Sequence, residues 1–352
     1  MKRATIFDVA KLAGVSIKTV SRVVNHEPNV RASTKERVDK ALSELKYRPD
    51  QSARNLASHR SHLIGLVYDD PDAYELPTSG YIINMQQGAL KACRSAMSEL
   101  LIHPCDYRER NVAAKLKTLI EEMRPAGIIL AAPLSNMPKI VRAIDATDTP
   151  FVRLSPGKPD EKRYSVGTND REISAEMTRY LASLGHKEIA FITGHKSHKA
   201  VANRFLGYQD GLQQSGLKFS EQLVVAGDNS MASGEAGAEE LLARKRPPTA
   251  IFAANDDMAV GVLRVAHRMQ VDVPGQLSVA GFDDISLARM VHPTLTTVKQ
   301  PLSEMARRAA MALIEGRCGE ASEEGPEIVP ATLQVRESTG PVPASVQLAQ
   351  RI

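Results

Sequence analysis

Hydrophobic positions in the first 45 residues recur every three to four residues, which is the period of an amphipathic helix. Thr5 precedes the first such stretch and Asp8 lies three residues after it, so this helix is expected to begin with a capping box. Gly14 is expected to end the helix in a tight turn. Ser16 then predicts the start of a second helix, which runs toward Asn25.

A third helix is predicted to begin at Ser33, with Glu36 three residues later as a second capping box, and to continue to Leu45. Three short helices with a glycine-containing turn between the first two are typical of a helix-turn-helix. The segment 1–47 is therefore predicted to be an all-α DNA-binding domain.

The remaining sequence alternates between short apolar runs and amphipathic stretches. The apolar runs predict buried strands at 63–68, 127–132, 151–154, 188–193, 250–255 and 277–283. The amphipathic stretches predict helices near 81–98, 111–123, 170–184, 201–215, 234–244, 256–269 and 301–316. This alternation predicts an α/β fold of parallel sheets with helices on both faces. In such folds the loops at the carboxyl ends of the strands form the ligand crevice.

Composition narrows the class of protein. With 352 residues, 43% of them hydrophobic, the chain is expected to form more than one domain with a substantial core. No apolar run reaches the roughly 18 residues needed to cross a bilayer, and no signal-peptide pattern is found, so a cytoplasmic protein is expected. Cys93, Cys105 and Cys318 lie far apart without metal-type spacing, which favours reduced thiols.

Charge is divided unevenly along the chain. Residues 1–60 contain thirteen Lys and Arg against six Asp and Glu, a net charge of +7, whereas the remainder has a net charge of −3. A basic N-terminal segment on a slightly acidic body is typical of a protein that binds nucleic acid through one part and has a different task in the other.

The second helix of a helix-turn-helix lies in the major groove, where its N-terminal residues reach base edges. In this sequence those residues are Ile17, Lys18, Ser21 and Arg22. Lys and Arg donate to guanine O6 and N7, Ser reaches several bases, and Ile meets a thymine methyl group. Hydroxyls, amides and helix N-termini suit phosphate oxygens, and the candidates for such contacts are Thr5, Ser16, Thr19, Asn25, Arg31 and Thr34.

Motifs of catalysis and nucleotide binding are missing from the sequence. It contains no G-x-G-x-x-G, no Walker loop, no G-x-S-x-G and no H-E-x-x-H, and its nine histidines are scattered. Neither an enzyme nor a cofactor nor a metal site is expected.

The N-terminal motif also carries a family resemblance. The segment TIFDVAKLAGVSIKTVSRVVN at 5–25 resembles the signature of the LacI/GalR family of bacterial repressors, and the similarity continues to YRPDQSARNLAS at 47–58. In that family the latter segment is a hinge helix that folds when the dimer meets its operator. The resemblance implies a homodimer on double-stranded operator DNA. It also implies that Asn55 contacts the groove or backbone and that Leu56 is an apolar wedge that kinks the DNA from the minor groove.

The body is similar to the effector domain of the same family, which is related in fold to periplasmic sugar-binding proteins. Local matches include LGHKEIAFITG at 184–194, AANDDMAVGVLR at 253–264 and LSVAGFDDI at 277–285. The resemblance implies two lobes of discontinuous chain. Lobe one is expected at about 61–160 plus 295–323 and lobe two at 161–294 plus 324–340. The other expected segments are a hinge and linker at 48–60, an effector-binding and dimerisation domain at 61–340 and a flexible tail at 341–352.

Polar side chains near the predicted strand ends are candidates for a small-molecule pocket. A carboxylate, an amide and a guanidinium in one crevice would satisfy a polyhydroxylated ligand, whose hydroxyls both donate and accept. The candidate effector-binding residues are Asp69, Tyr81, Ser155, Arg204, Asn255 and Asp283. Positions that match Arg204, Asn255 and Asp283 contact the effector in sugar-responsive members of the family. For Asn255, Asp256 and Asp284, a structural role as a helix cap is equally expected.

The sequence departs from the galactoside-responsive members in two respects. A Trp packs on the sugar ring in those proteins, but this chain has no Trp and places Asn229 at the matching position. Stacking on a ligand would have to come from Tyr68, Tyr74, Tyr81, Phe205 or Phe282. The acidic pair Asp69 and Asp70 after the first strand disfavours a strongly anionic effector, so a neutral sugar is expected.

Taken as a whole, the sequence predicts a homodimeric repressor of carbohydrate-utilisation genes that a neutral sugar releases. Control by a purine, a nucleoside or a protein partner is an alternative within the same family. A solute-binding protein of transport is another, against which the basic head and the missing export signal argue. The sequence leaves open whether the effector induces or co-represses. The tail after residue 340 lacks a sustained heptad, which favours a dimer over a tetramer.

Overall fold

The structure, a computed structural model, describes residues 4–24, 30–45, 47, 62–71, 79–157, 163–319 and 325–342. Three residues with a predicted DNA contact, Asn25, Asn55 and Leu56, lie outside these ranges, as does the predicted hinge at 48–60. The chain divides into two compact units, a head at Met1–Ser61 and a body at His62–Ile352. In the ranges given above, no helix is both long and apolar enough to cross a membrane.

The described residues of the head form three helices, α1 (Ile6–Ala13), α2 (Ile17–Val24) and α3 (Ala32–Glu44). The predicted capping box of α1 is confirmed: Asp8 accepts from the Thr5 amide at 2.8 Å, and the Asp8 amide donates to the Thr5 hydroxyl at 3.4 Å. The helices enclose a small apolar core formed by Val9, Ala10, Ala13, Val20, Val23, Val38 and Ala41.

The turn between α1 and α2 is the predicted one. Gly14 ends α1 with a φ of 62°, a left-handed conformation that side chains with a Cβ adopt at a cost. Ser16 precedes α2, and its hydroxyl accepts from the Thr19 amide at 3.1 Å. Gly14 therefore ends α1, and Ser16 caps the start of α2, as the sequence predicts.

The second capping box, predicted at Ser33 and Glu36, is wrong. The helix begins one residue earlier, after Arg31, whose carbonyl accepts from the amides of Thr34 and Lys35 at 3.0 Å. Ser33 is therefore already inside the first turn, and no side chain caps this helix. Its start is set by the backbone, because Arg31 has the extended conformation that precedes a helix.

The body contains twelve strands in its described part. In chain order they are β1 (Leu63–Asp69), β2 (Glu99–Cys105), β3 (Gly127–Leu130), β4 (Phe151–Leu154), β5 (Ser165–Gly167), β6 (Ile189–Ile192), β7 (Val224–Val225), β8 (Ala250–Ala253), β9 (Ser278–Asp283), β10 (Thr296–Lys299), β11 (Glu327–Ile328) and β12 (Thr332–Gln334).

The helices of the described body are α4 (Gly80–Ser95), α5 (Val112–Met123), α6 (Pro138–Asp145), α7 (Asp170–Ser183), α8 (Lys199–Gln214), α9 (Met231–Leu242), α10 (Asp256–Arg268) and α11 (Leu302–Ile314). Short 3₁₀ turns lie at Leu134–Asn136, Glu221–Leu223, Ser286–Arg289 and Arg317–Gly319. The predicted α/β fold, with parallel sheets flanked by helices, is confirmed.

Lobe one is built on a parallel sheet with the strand order β11-β5-β4-β3-β1-β2. Alternate residues of a strand point to opposite faces of the sheet. Ile64 and Leu66 of β1 accordingly pack with α4 and α11, whereas Val67 packs with α5 and α6. Both faces are thus buried, as the continuous apolar run of β1 predicts.

Lobe two is built on a sheet with the order β12-β10-β9-β8-β6-β7, in which only β12 is antiparallel to its neighbour. Its core includes an aromatic cluster in which Phe191 of β6 lies 5.0 to 5.7 Å from the rings of Tyr208, Phe252 and Phe205. Two of these rings, Phe205 and Tyr208, belong to α8, so the cluster seats α8 on the sheet.

Three short strands correct the predicted lobe boundaries. Strands β5 and β11, expected in lobe two, pair in the sheet of lobe one, and β10, expected in lobe one, pairs with β9 in lobe two. Strands β5 and β11 have only three and two residues, too few to show a hydrophobic period, and β10 has one apolar residue in four, so backbone pairing alone assigns these strands to a sheet. The chain crosses between the lobes at 168–169, 300–301 and 329–331.

The body also extends beyond the predicted domain end at 340. Val342 is buried, and its amide donates to the carbonyl of Leu184 at 2.9 Å. The predicted flexible tail at 341–352 is therefore wrong for residues 341–342, and the later residues lie outside the described ranges.

Candidate functional site

The outer face of α2 presents the side chains predicted to reach base edges. Val20 and Val23 are buried in the head, whereas Ile17, Lys18 and Arg22 are exposed. An Ile that is 40% exposed at a helix start, beside two basic side chains, is the arrangement by which a recognition helix meets a thymine methyl group and guanine acceptors.

The predicted phosphate-binding residues surround this face at the helix starts. Thr5, Ser16 and Arg31 are exposed, and Thr19 and Thr34 are half-buried. Thr5 and Ser16 already cap α1 and α2 through the bonds described above. Ser21, predicted to contact bases, is half-buried on α2.

A cleft of about 650 Å³ in the body is lined by side chains that follow the carboxyl ends of both sheets. Five of the six predicted effector-binding residues line it. Lobe one contributes Asp69 and Tyr81, and lobe two contributes Arg204, Asn255 and Asp283. The structure therefore brings together groups that lie more than 200 residues apart in the sequence, at the edge where parallel sheets bind ligands.

Ser155, the sixth predicted residue, lies in the wall beside this cleft. It lines a neighbouring cavity of about 400 Å³, and its side chain hydrogen-bonds to Tyr81. Burial, together with the negative charge of Asp283, raises the pKa of Tyr81, so its hydroxyl keeps its proton at neutral pH. Ser155 can thus contribute to the cleft by orienting Tyr81.

Arg204 is a buried cation held by lobe two. Its Nε donates to Asp170 at 3.0 Å, Nη1 donates to the Ala254 carbonyl at 2.6 Å, and Nη1 lies 3.5 Å from Asp283. Its guanidinium also stacks 3.7 Å from the ring centroid of Phe282. Two buried carboxylates therefore compensate its charge within the protein.

Asp283 ends β9 with a φ of 121°, a conformation rare for any residue other than glycine. Gln300 donates to Oδ1 of Asp283 at 2.6 Å, the same carboxylate oxygen that lies 3.5 Å from Arg204. Burial raises the pKa of Asp283 to about 7, against the lowering effect of Arg204. The strained backbone holds this carboxyl in the cleft wall. Asp283 can therefore both stabilise the wall and contact a ligand.

Asn255 caps a helix and lines the cleft. Its side-chain oxygen accepts from the Met258 amide at 3.0 Å, which caps α10, and its Nδ2 donates to the Asn229 carbonyl at 2.9 Å. Asp256 and Asp284 are structural. Asp256 accepts from Thr297 and from the Ile285 amide, and Asp284 is paired with Arg289 and Arg336.

Several residues of the lining were not predicted from the sequence. The Tyr107 hydroxyl of lobe one lies 3.2 Å from the ring nitrogen Nδ1 of His195, which belongs to lobe two on the other side of the cleft. The Tyr107 backbone amide donates to the Asp69 carboxylate at 3.0 Å. The other additions include Arg108, His198, Asp228 and Asp257. Two of these residues follow the carboxyl end of a strand, Tyr107 after β2 and His195 after β6, and this position could have identified them from the sequence. For Tyr107, identification would have required a strand prediction at 99–105.

The candidate stacking residues divide into two groups. Tyr68 and Phe282 are buried, and Phe205 is packed into the aromatic cluster of lobe two, so only Tyr81 among the described candidates lines the cleft. Tyr107 provides a second ring. Tyr74 lies outside the described ranges.

Comparison with known proteins identifies the family. Residues 5–50 match bacterial regulatory proteins of the lacI family, and residues 178–339 match the periplasmic binding protein-like domain. The HTH-type transcriptional regulator AscG of Escherichia coli (strain K12) is 33% identical over 310 residues, which cover 88% of this chain and 91% of AscG. The chain belongs to the lacI family.

Solved structures of lacI-family proteins have the same fold over nearly the whole chain. The transcriptional regulator CelR in complex with cellobiose is 30% identical and superposes with a TM-score of 0.72, covering 96% of this chain and all of CelR. The lac repressor dimer bound to operator and the anti-inducer ONPF is 26% identical, with a TM-score of 0.77 and the same coverage. As a lacI-family protein, the chain is a helix-turn-helix transcriptional regulator, not an enzyme.

Proposed function

We propose that this regulator is a homodimeric repressor of carbohydrate-utilisation genes, which acts on operator DNA in the cytoplasm and is released by a sugar without anionic groups. The sequence-based expectation for that effector is a neutral sugar. The observation that carries the proposal is the cleft lined by both lobes, with carboxylate, amide and hydroxyl groups in its wall. Such groups match the alternating donors and acceptors of a carbohydrate.

Coupling between the cleft and the operator requires that the effector bind two lobe arrangements with different affinity. Asp69 and Tyr81 belong to lobe one, whereas Arg204 and Asp283 belong to lobe two. A ligand that contacts both groups favours one closure angle. The chain enters the body through lobe one, so a change of closure angle reaches the predicted hinge through that lobe.

Relatives support both halves of the proposal. The CelR structure contains cellobiose, and the lac repressor structure contains a dimer on its operator. The acidic residues of the cleft wall, Asp69 and Asp228 among them, repel a phosphorylated sugar by like charge. These points favour a carbohydrate that lacks phosphate or carboxylate.

Arg22→Ala is expected to weaken operator binding by about 1–3 kcal/mol, because a bidentate contact to a guanine contributes that much to base discrimination. The operator is first selected from random duplexes, and affinity is then measured at fixed salt. Arg37→Ala is the matched control: it removes another exposed Arg, from α3, a helix not predicted to enter the groove. Equal affinity of Arg22→Ala and the parent for the selected operator would contradict the predicted role of α2.

The effector class is tested by thermal shift of the full chain with neutral sugars, sugar phosphates and nucleobases. The proposal expects stabilisation by a non-phosphorylated sugar, and release of the operator by the same compound. A nucleobase as the only stabilising compound would replace the carbohydrate with a purine or nucleoside effector.

Asp283→Asn is expected to raise the sugar concentration needed for operator release by about tenfold or more, since a charge-assisted hydrogen bond to a sugar hydroxyl is lost. Asn keeps the volume of the side chain and tolerates positive φ better than most residues do. Operator titration with and without the stabilising sugar measures the change. If the variant responds at the parental sugar concentration, Asp283 serves the structure of the wall only.

A further inference from the structure

The two lobes of the body contact each other directly across the cleft. The Tyr107 hydroxyl of lobe one lies 3.2 Å from both ring nitrogens of His195 in lobe two. Ser79, which precedes α4 in lobe one, donates a side-chain hydrogen bond to the carboxylate of Asp257 in lobe two. Both contacts are lost when the lobes separate, so they stabilise the arrangement seen in the structure, which we call the closed arrangement.

Each partner of the Tyr107 contact is positioned by its own lobe. Nδ1 of His195 accepts from the backbone amide of Ser197 at 3.2 Å, so the ring proton lies on Nε2, which donates to the Tyr107 hydroxyl. On the other side, the backbone amide of Tyr107 is fixed by its hydrogen bond to Asp69. Little side-chain freedom is therefore left to lose when the lobes meet, which favours the contact.

Two glycines of lobe one lie where lobe two approaches most closely. A Cβ on Gly157 would lie 2.2 Å from the Cβ of Lys199, the first residue of α8 in lobe two. A Cβ on Gly80 would lie 2.7 Å from the Cβ of Ile285, which follows β9 in lobe two. At every other described glycine whose Cβ would come closer than 3.0 Å to an atom, that atom belongs to the same lobe. The closed arrangement therefore depends on missing side chains at these two positions.

Gly157 is the more informative of the two, because it is not among the residues that line the cleft. Its φ lies outside the left-handed region, so an alanine fits its backbone conformation. Within lobe one the nearest atom to an added Cβ would be Oδ1 of Asn136, at 3.2 Å. The Lys199 Cβ is attached directly to the backbone of α8 and cannot rotate away. A Cβ at position 157 is therefore accommodated by moving the lobes apart.

We propose that Gly157 is a positioning residue for effector binding, because its missing side chain lets the lobes reach the closed arrangement, in which the effector is bound. This inference rests on the proposed function and adds the residue that limits closure. A side chain at position 157 opposes closure and so lowers the closed fraction of the protein. A ligand that needs groups from both lobes then binds more weakly in proportion to that fraction, although it never touches residue 157.

Closure is measured first without any ligand, by disulfide trapping in the full chain. Ser79→Cys and Asp257→Cys place two thiols on short side chains that meet across the lobes, and their disulfide forms only while the lobes are closed. Peptide mass spectrometry distinguishes this bridge from any that involves the three native cysteines. In this background, Gly157→Ala is expected to slow formation of the bridge about tenfold.

Two further variants show whether the lost closure comes from the contact with lobe two. Lys199→Gly removes the Cβ that an alanine at position 157 would meet, so adding it to Gly157→Ala should restore the parental rate of bridge formation. Lys199→Gly alone is measured beside it, to account for any effect on α8. Gly319→Ala is the matched control in lobe one, because a Cβ on Gly319 would have no atom within 4 Å. Its rate should equal that of the parent.

Sugar binding is then measured by calorimetry in chains without the introduced cysteines, with glucose, galactose and cellobiose as probes. A sugar that binds the parent should bind Gly157→Ala about tenfold less tightly and the double variant normally. Equal bridging rates in Gly157→Ala and the parent overturn the inference, as does a slow rate that Lys199→Gly does not restore.

The two arms of the experiment separate this inference from the proposed function. Unchanged sugar affinity in Gly157→Ala, together with slow bridging, would mean that the closed arrangement is not the one that binds the sugar, and would also overturn the inference. If bridging is slowed and restored as expected but none of the sugars binds, the role of Gly157 in closure stands and the carbohydrate effector of the proposed function fails.

Discussion

Arg204→Ala is expected to lower the free energy of unfolding of the body by about 3–5 kcal/mol, because it leaves two buried carboxylates without their cation. The Arg204 side chain is only 6% exposed, and the side chains of Asp170 and Asp283 are equally enclosed. Urea unfolding of the full chain, followed by far-UV circular dichroism, measures the change, since the chain has no Trp for fluorescence.

The same two helices provide a matched control for this variant. Arg171 of α7 pairs with Asp210 of α8 at 2.5 Å, but the Arg171 side chain is 51% exposed. Arg171→Ala is expected to cost less than about 1 kcal/mol, because water screens the exposed pair. Adding Asp170→Asn and Asp283→Asn to Arg204→Ala should recover part of the loss. Equal destabilisation by Arg171→Ala and Arg204→Ala would contradict the buried-charge account.

Phe191→Ala is expected to destabilise the body by about 3–5 kcal/mol, the range for removing a large buried aromatic side chain. Phe191 is fully buried on β6, and its ring stacks 5.0 Å from that of Tyr208. The cavity would form beneath α8, which carries Arg204. We therefore expect weaker sugar binding together with the loss of stability, measured by calorimetry and urea unfolding on the same preparation.

Phe219 provides the control, since it joins the edge of the same aromatic cluster but is 40% exposed. Phe219→Ala is expected to cost less than about 1.5 kcal/mol, because water already covers part of the ring. Unchanged sugar affinity in a folded Phe191→Ala protein would mean that α8 does not need this cluster to position Arg204.

The edge strands, together with β5 and β10 beside them, were the features of the body that the sequence left undetermined. The segment 99–105 forms β2, yet its polar and apolar positions have no clean alternation, and β5, β7, β11 and β12 have only two or three residues. Strand β10 has four residues, of which only Val298 is apolar. Central strands such as β1 and β9 are buried on both faces, so their apolar runs are continuous and identifiable. Helix α6 was also missed, because no side chain caps its start, whereas Thr5 and Ser16 mark the starts of the equally short α1 and α2.

Only some residues of the cleft lining were predicted, because the strands that precede several of the others were not recognised in the sequence. Asp69, Asn255 and Asp283 immediately follow or end apolar strand runs, so parallel-sheet geometry places them at the crevice. Tyr107 and Asp228 follow strands that were not recognised, and so they were not expected there. Asp257 was not among the candidates, because it lies in the first turn of α10, two residues beyond the predicted strand at 250–255.

The sequence by itself determined the head and the class of the body, because the signals involved act over three to four residues or over one strand. Thr5 with Asp8, Gly14 and Ser16 specify helix ends through local hydrogen bonds and backbone conformation, which need no distant partner. Only the tertiary structure decided the charge of the cleft. Arg204 meets Asp170 because α7 and α8 pack closely at Gly207, where a Cβ would lie 2.2 Å from the Arg171 carbonyl. Such packing contacts between helices decide whether an aspartate of the cleft is paired with a cation of the protein. No spacing of residues along the sequence specifies these contacts.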